Sequence, residues 1–95
     1  MLVCVIKIDL RLFAVNSLKE KRSIVKSLIE KTKHKFTVSI AEIGEHDVWQ
    51  AAQLGLALVG NSRSLLEREM NKILDFLEAG GEVEIVSVVH EIWGY

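Results

Sequence analysis

The stretch SLKEKRSIVKSLIEKTKHK, residues 17–35, reads as an amphipathic helix and holds most of the positive charge of the chain. Seven of the twelve basic residues lie in it, against only two acidic residues, Glu20 and Glu30. The whole chain carries a net charge of −1, so the rest of the sequence is acidic. Charge needed only for solubility would not have to separate in this way, so the stretch is a candidate binding surface.

The spacing of residues within 17–35 predicts where this helix begins and which side is buried. Ser17 and Glu20 fit a capping box, in which each side chain accepts from the main-chain amide of the other residue. At about 100° per residue, one arc is apolar and is predicted to face the core. That arc holds Leu18, Ile24, Val25, Leu28, Ile29 and Thr32. The water-facing arc beside it holds Lys19, Arg22, Lys26 and Lys33, together with Glu30.

Lys21 is the exception among the basic residues because it projects toward the apolar arc in the first turn. Either its stem carries the ammonium past the edge of the core, or the side chain points at a loop or a ligand. We include it in the candidate nucleic-acid contacts, which are Lys19, Lys21, Arg22, Lys26 and Lys33. A solvated helix face and a charged protein contact are the alternative interpretations of the same residues.

The rest of the chain reads as four strands and a second helix. The strands are predicted at 2–13, 36–43, 50–60 and 82–92, where apolar residues alternate with others. The second helix opens within 61–64, with Ser64 and Glu67 as a second capping box, and stops at Gly80-Gly81. A break in the alternation of the last strand predicts a bulge near Val86.

The resulting order, β-α-β-β-α-β, predicts the fold class. Each helix has one apolar stripe, and three of the four strands have one strongly apolar face. The apolar stripes of the helices and the apolar faces of the strands are buried together when the two helices cover one face of a four-stranded antiparallel sheet. We therefore predict an α+β protein with the ferredoxin-like two-layer sandwich fold, as a single domain over 1–95.

The sheet face opposite the helices is a second candidate surface. On the first three strands it is small or β-branched, with few charges and no aromatic residue. Its members are Val3, Val5, Lys7, Thr37, Ser39, Ala41, Gln53, Gly55, Ala57 and Val59. RNA-binding domains of this topology stack bases on aromatic residues of the middle strands, which are missing here. We expect a homodimer or coverage by the C-terminal residues 92–95, with simple exposure as the alternative.

Polar and aromatic side chains concentrate in the connection between the second and third strands. His46, Asp47, Trp49 and Gln50 form a candidate binding loop there. His46 and Asp47 could act as acid and base, but adjacent residues seldom converge on one metal ion and no third ligand has a recognisable spacing. The default interpretation is a turn in which Asp47 accepts main-chain amides and Trp49 packs at the core edge.

Composition and missing motifs limit the function classes. No apolar run reaches the roughly 18 residues that a membrane span requires. The single Cys4 excludes an intramolecular disulfide, so we expect a cytoplasmic protein without a membrane partner. The paired cysteines of a metal chaperone, the anion loop of an acylphosphatase and a GxxxxGK phosphate loop are all missing. We therefore expect no enzymatic activity, no metal and no cofactor.

Three motifs follow one another along the chain: SLKEKR at 17–22 after a long first strand, FTVSIAE at 36–42, and HDVWQ at 46–50. In this combination the sequence resembles the bacterial YlxP-like family of unknown function, over nearly its whole length. The resemblance implies a small ferredoxin-like domain. Genes of that family often lie among those for translation and ribosome-maturation factors, which implies RNA or a ribosomal protein as the partner. The resemblance assigns no role to the matching positions, which are Ser17, Lys19, Glu20, Lys21, Arg22, Glu42, His46, Asp47, Trp49 and Gln50.

These observations lead to one functional hypothesis and two alternatives. We expect a non-enzymatic cytoplasmic binding protein that docks on structured, ribosomal RNA through the basic first helix. The first alternative is a homodimeric protein-interaction module that pairs through its open sheet face. The second is an enzyme or small-ligand site around His46, Asp47 and Trp49.

Overall fold

A computed structural model describes residues 1–95 and has the element order β-α-β-β-α-β. Ser17 precedes the first helix and caps it, because its hydroxyl accepts from the Glu20 amide at 3.1 Å. The Glu20 carboxylate accepts from the Asn16 amide at 2.9 Å rather than from the Ser17 amide. The elements are β1 Leu2–Leu12, α1 Leu18–Lys35, β2 Ser39–Gly44, β3 Ala51–Gly60, α2 Arg63–Ala79 and β4 Val83–Gly94.

The four strands form one antiparallel sheet in the order β2-β3-β1-β4. β1 is central and pairs along its length with β3 on one side and β4 on the other. Both helices cover the same face of this sheet, because their buried residues belong to one cluster with the inward residues of the strands. The predicted ferredoxin-like sandwich is confirmed.

The core lies between the sheet and the two helices and consists of 18 buried hydrophobic residues. Alternate residues of β1 and β3 point into it, as the period of two requires. The strands contribute most of these residues, including Cys4, Ile6, Ile8, Leu10, Leu12, Ala52, Leu54, Leu56 and Leu58. Burial raises the pKa of the Cys4 thiol, so the thiol stays protonated and Cys4 serves as a core residue.

The start of β2 and the cap of α2 differ from the sequence prediction. Phe36 does not begin β2: its amide donates to Thr32 O at 2.9 Å, so it closes the last turn of α1, and the strand starts at Ser39. The cap of α2 is Ser62 and not Ser64, because the Ser62 hydroxyl accepts from the Leu65 amide at 3.4 Å. In both places the periodic pattern was extended over residues that close or open a helix.

β4 contains the predicted bulge and continues to the end of the chain. Asp9 faces Ser87 and Leu10 faces Ile85, so Val86 is the extra residue. Beyond it β4 stays paired with β1 as far as Gly94, and the main chains of Met1 and Tyr95 exchange hydrogen bonds at 2.7 and 2.8 Å. Residues 92–95 therefore extend the sheet and do not cover its open face, so that part of the prediction was wrong.

Neither helix has the length and apolar character that crossing a membrane requires.

Candidate functional site

The water-facing basic residues of α1 lie where the sequence predicts them. Lys19, Arg22, Lys26 and Lys33 are all exposed, and we call this set the basic ridge. Lys19, Lys26 and Lys33 are seven residues apart, so at about 1.5 Å per residue they span roughly 21 Å along the helix. The ridge borders β2, because Arg22 and Lys26 line a shallow groove together with Glu42 of that strand.

Most of the charge of the basic ridge is unpaired. Its one ion pair joins Arg22 to Asp47 at 3.8 Å, with side chains that are 63% and 89% exposed. Such an exposed pair contributes about 0–1 kcal/mol and opens readily. Lys19, Lys26 and Lys33 form no ion pair within the chain. The acidic second half of the chain therefore does not neutralise this surface.

Lys21 does not belong to the exposed surface, and its inclusion among the nucleic-acid contacts was wrong. Its side chain is fully buried, and the ammonium lies 2.8 Å from Glu42 Oε2. It also donates to the main-chain oxygens of Glu45 at 2.6 Å and His46 at 3.2 Å. Three acceptors thus surround the three N–H groups of one ammonium, so none is left to bind a ligand.

The Lys21 contacts tie α1 to the loop between β2 and β3. Glu42 lies on β2 with its side chain toward the helices, and its buried Oε2 has no other partner than the Lys21 ammonium. Glu45 has a positive φ of 60°, which turns the chain so that two successive carbonyls point at the same ammonium. The loop is therefore held to α1 through its main chain, and among its side chains only Asp47 also contacts the helix.

The candidate binding loop differs from the turn that the sequence predicts. Asp47 accepts no main-chain amide, and its carboxylate instead faces Arg22. Trp49 is 49% exposed, so about half of its surface faces solvent. His46 and Gln50 are also exposed, and Gln50 takes part in the sheet only through its carbonyl, which accepts from the Leu12 amide at 2.9 Å. All four side chains lie at the surface, but only Asp47 contacts the basic ridge.

The groove between α1 and β2 has a volume of about 200 Å³. Val25 and Ile29 form its apolar floor, and its rim carries two basic and two acidic residues. The rim residues are Arg22, Lys26, Glu30 and Glu42. Because Glu30 and Glu42 repel anions, a phosphate is better placed on the exposed ridge than inside this groove.

Nowhere in the chain do three His, Cys, Asp or Glu side chains come together in a way that could hold a metal ion. The site therefore consists of a ridge of positive charge and an adjacent loop with exposed histidine and tryptophan side chains. Such an arrangement can bind an anionic surface. The Lys21–Glu42 pair is the feature that the sequence analysis missed. The sequence did contain a sign of this pair, because a lysine in the apolar arc of a helix requires a buried acceptor.

Residues 3–90 match a family model described as a protein of unknown function, DUF503. The chain belongs to this family. The DUF503 match agrees with a relative in Bacillus subtilis (strain 168), the uncharacterized protein YlxP, which is 40% identical over 73 residues. That alignment covers 77% of this chain and 79% of the relative, and the resemblance to the YlxP-like family is confirmed.

Solved structures share the fold of this DUF503 protein at low sequence identity. The structural-genomics protein YJCS has a TM-score of 0.55 at 14% identity, and the match covers 94% of this chain and 96% of that one. A putative chlorite dismutase, TA0507, has a TM-score of 0.57 at 10% identity, covering 99% of this chain and 45% of that one. The designed protein Foldit4 has a TM-score of 0.50 at 16% identity, with 98% of both chains covered. These likenesses show a common architecture only.

Proposed function

We propose that this DUF503 protein is a non-enzymatic cytoplasmic binding protein that docks on structured RNA through its basic ridge. The observation that carries this proposal is the row of unpaired ammonium groups on one side of α1. Lys19, Lys26 and Lys33 are exposed and have no acidic partner in the chain. A polyanion would provide the missing counter-charges.

The chemistry of the ridge favours phosphate contacts over contacts to bases. Lysine ammonium groups are compact charges that bind phosphate without reading its orientation. A straight ridge of roughly 21 Å follows the backbone of a helical nucleic acid better than it follows a compact anion. The middle strands of the sheet have no aromatic side chains on which single-stranded bases could stack. These features support a duplex-containing RNA as the ligand, and ribosomal RNA is the first probe to use.

Two charge-reversal variants test whether RNA affinity depends on the ridge itself or only on the net charge of the protein. The ridge variant K19E/K26E/K33E and the control R63E/R68E/K72E each lower the net charge by six. The three control residues are exposed on α2 and, like the three ridge residues, form no ion pair. We expect the ridge variant to lose affinity for a ribosomal RNA fragment by at least about a hundredfold, and the control by only a few-fold.

The salt dependence of binding provides a second measure. Four phosphate contacts, including one from Arg22, predict a slope of log K against log salt on the order of −3 to −4, which the ridge variant should reduce. Equal losses in both variants, or unchanged binding by the ridge variant, would contradict the proposal. Capture of an acidic protein that survives nuclease treatment would instead favour a protein partner for α1.

A further inference from the structure

The open face of the sheet carries apolar side chains that nothing in the chain covers. β4 adds Val89 and Trp93 to this face, because they pair with Lys7 and Val3 of β1. Val5, Val59, Val89 and Trp93 are 39%, 68%, 61% and 52% exposed. Trp93 is the aromatic residue that the prediction for this face lacked. Contiguous exposed apolar surface of this kind marks an interaction site, and tryptophan is enriched at such sites.

Two opposite charges without partners lie on this face where β1 pairs with the edge strand β4. Lys7 and Glu91 are both exposed, and neither forms an ion pair within the chain. Val5 pairs with Glu91 and Lys7 pairs with Val89 across β1 and β4. The four side chains therefore occupy a square, with the two charges on one diagonal and the two valines on the other.

We propose that a second copy of this chain covers the open face, so that Lys7 of each copy faces Glu91 of the other. A two-fold axis along the Val5–Val89 diagonal, between two stacked sheets, produces both ion pairs at once. The same axis sets Val5 against Val5 and Val89 against Val89 of the second copy. The square thus has the self-complementarity that an isologous interface requires.

The area that this axis covers fits a weak, reversible dimer. Four strands about 4.8 Å apart make a face about 19 Å wide, and three of the strands are 10 to 12 residues long. Because the axis runs diagonally to the strands, the strands of the two copies cross at a large angle, and roughly 360 Å² of each face overlaps. The dimer therefore buries roughly 700 Å² in total, which is typical of weak, transient interfaces. The apolar rows then supply most of the affinity, and the charges set the register.

This dimer goes beyond RNA docking because it uses the side of the sheet away from α1. The C-terminal residues do not compete for the face, since they continue β4 as far as Gly94. The dimer joins two sheets face to face and leaves both ridges on the outer surfaces.

Charge reversal provides the test. We expect sedimentation equilibrium of the native chain to show a dimer, and K7E or E91K alone to raise its Kd by at least about tenfold. The double variant K7E/E91K should return the Kd to within about threefold of the native value, because the two signs are exchanged together. Both residues are exposed, so thermal unfolding should show that all three variants remain folded.

Three results would overturn the proposal. The first is a native chain that stays monomeric up to roughly 100 μM. The second is a dimer whose Kd in all three variants equals that of the native chain. This result would place the contact elsewhere, such as at the free edge of β4. The third is a double variant that associates no better than the single ones, which would show that Lys7 and Glu91 do not face each other.

Discussion

Lys21 shows how one buried charge can organise a loop. Its ammonium is fully buried and has three acceptors, a carboxylate oxygen on β2 and two carbonyls that follow it in the chain. Taking an ammonium out of water is costly unless each N–H group finds a partner. The loop between β2 and β3 meets that requirement with Glu45 at a positive φ, which brings two successive carbonyls to the ammonium. The buried charge therefore stabilises this loop conformation.

Replacing Lys21 by methionine should destabilise the protein by about 3 kcal/mol, because Glu42 would lose its buried counter-charge. The 17% exposure of the Glu42 side chain places this figure at the lower end of the usual range for breaking a buried pair. The double variant K21M/E42L should recover part of the loss, since it removes both charges. Urea denaturation of the native chain and the two variants measures these differences.

The matched control for this experiment is K19M, which changes an exposed lysine of the same helix and should shift stability by less than about 0.5 kcal/mol. A K21M variant as stable as K19M would mean that the Lys21–Glu42 pair does not hold the loop. A double variant no more stable than K21M would show that the loss comes from the two unpaired carbonyls and not from Glu42.

At the level of elements, a polar network joins three strands on the open face. Asp9 of β1 accepts from the Gln53 amide of β3 at 2.9 Å and from the Ser87 hydroxyl of β4 at 2.6 Å. The network lies beside two irregularities, the bulge at Val86 and a register shift between Glu42 and Gly44 in β2. These hydrogen bonds tie β1 to both neighbours at the end of the sheet where the regular pairing is interrupted.

The two hydrogen bonds lower the pKa of Asp9, the one from Ser87 more than the one from Gln53. Because the folded pKa lies below the unfolded value of about 4, the network stabilises the fold above that pH. Its contribution is lost as the pH falls through the lower folded value. We expect S87A to raise the pKa of Asp9 toward its ordinary value, as measured by NMR titration of the carboxyl carbon.

Q53A should raise the same pKa by less than S87A does. The control is S39A, which removes an exposed hydroxyl from β2 that makes no hydrogen bond to Asp9. An Asp9 that titrates alike in the native chain and in S87A would show that the Ser87 bond does not persist in solution.

The elements also show what the sequence could and could not predict. Alternation located β1 and β3 to within a residue or two, and the break of phase located the bulge at Val86, because side-chain period follows directly from strand geometry. The choice of Ser62 over Ser64 as the α2 cap was not predictable, since both serines can offer a hydroxyl. The start of β2 was misplaced because Phe36 packs edge to face on Phe76 and is buried, as a strand residue would also be.

For the whole molecule, the sandwich separates the two candidate surfaces. The basic ridge lies on the outer side of α1, and the apolar face lies on the opposite side of the sheet. The ridge was predictable because it depends only on the period of one helix. The burial of Lys21 was not, because its partner Glu42 lies 21 positions further along the chain. The self-complementary square was not predictable, because it needs the register between β1 and β4, and a bulge shifts that register.

This separation predicts that RNA docking and dimerisation are independent at the level of one protomer.

The neutral variant V5N/V89N removes both valines of the square without changing net charge, and it should raise the dimer Kd by at least about tenfold. Its affinity for a short RNA duplex that spans only one ridge should stay within about twofold of the native value. Two such duplexes joined by a flexible single-stranded linker can reach both ridges. The native dimer should bind this linked RNA more tightly than the variant does, because the second contact becomes intramolecular. Conversely, K19E/K26E/K33E should leave the dimer Kd unchanged. Fluorescence anisotropy with the single duplex and the linked duplexes, paired with sedimentation equilibrium, measures both quantities. Loss of short-duplex binding in V5N/V89N would contradict the independence of the two surfaces and would mean that RNA binds across the dimer.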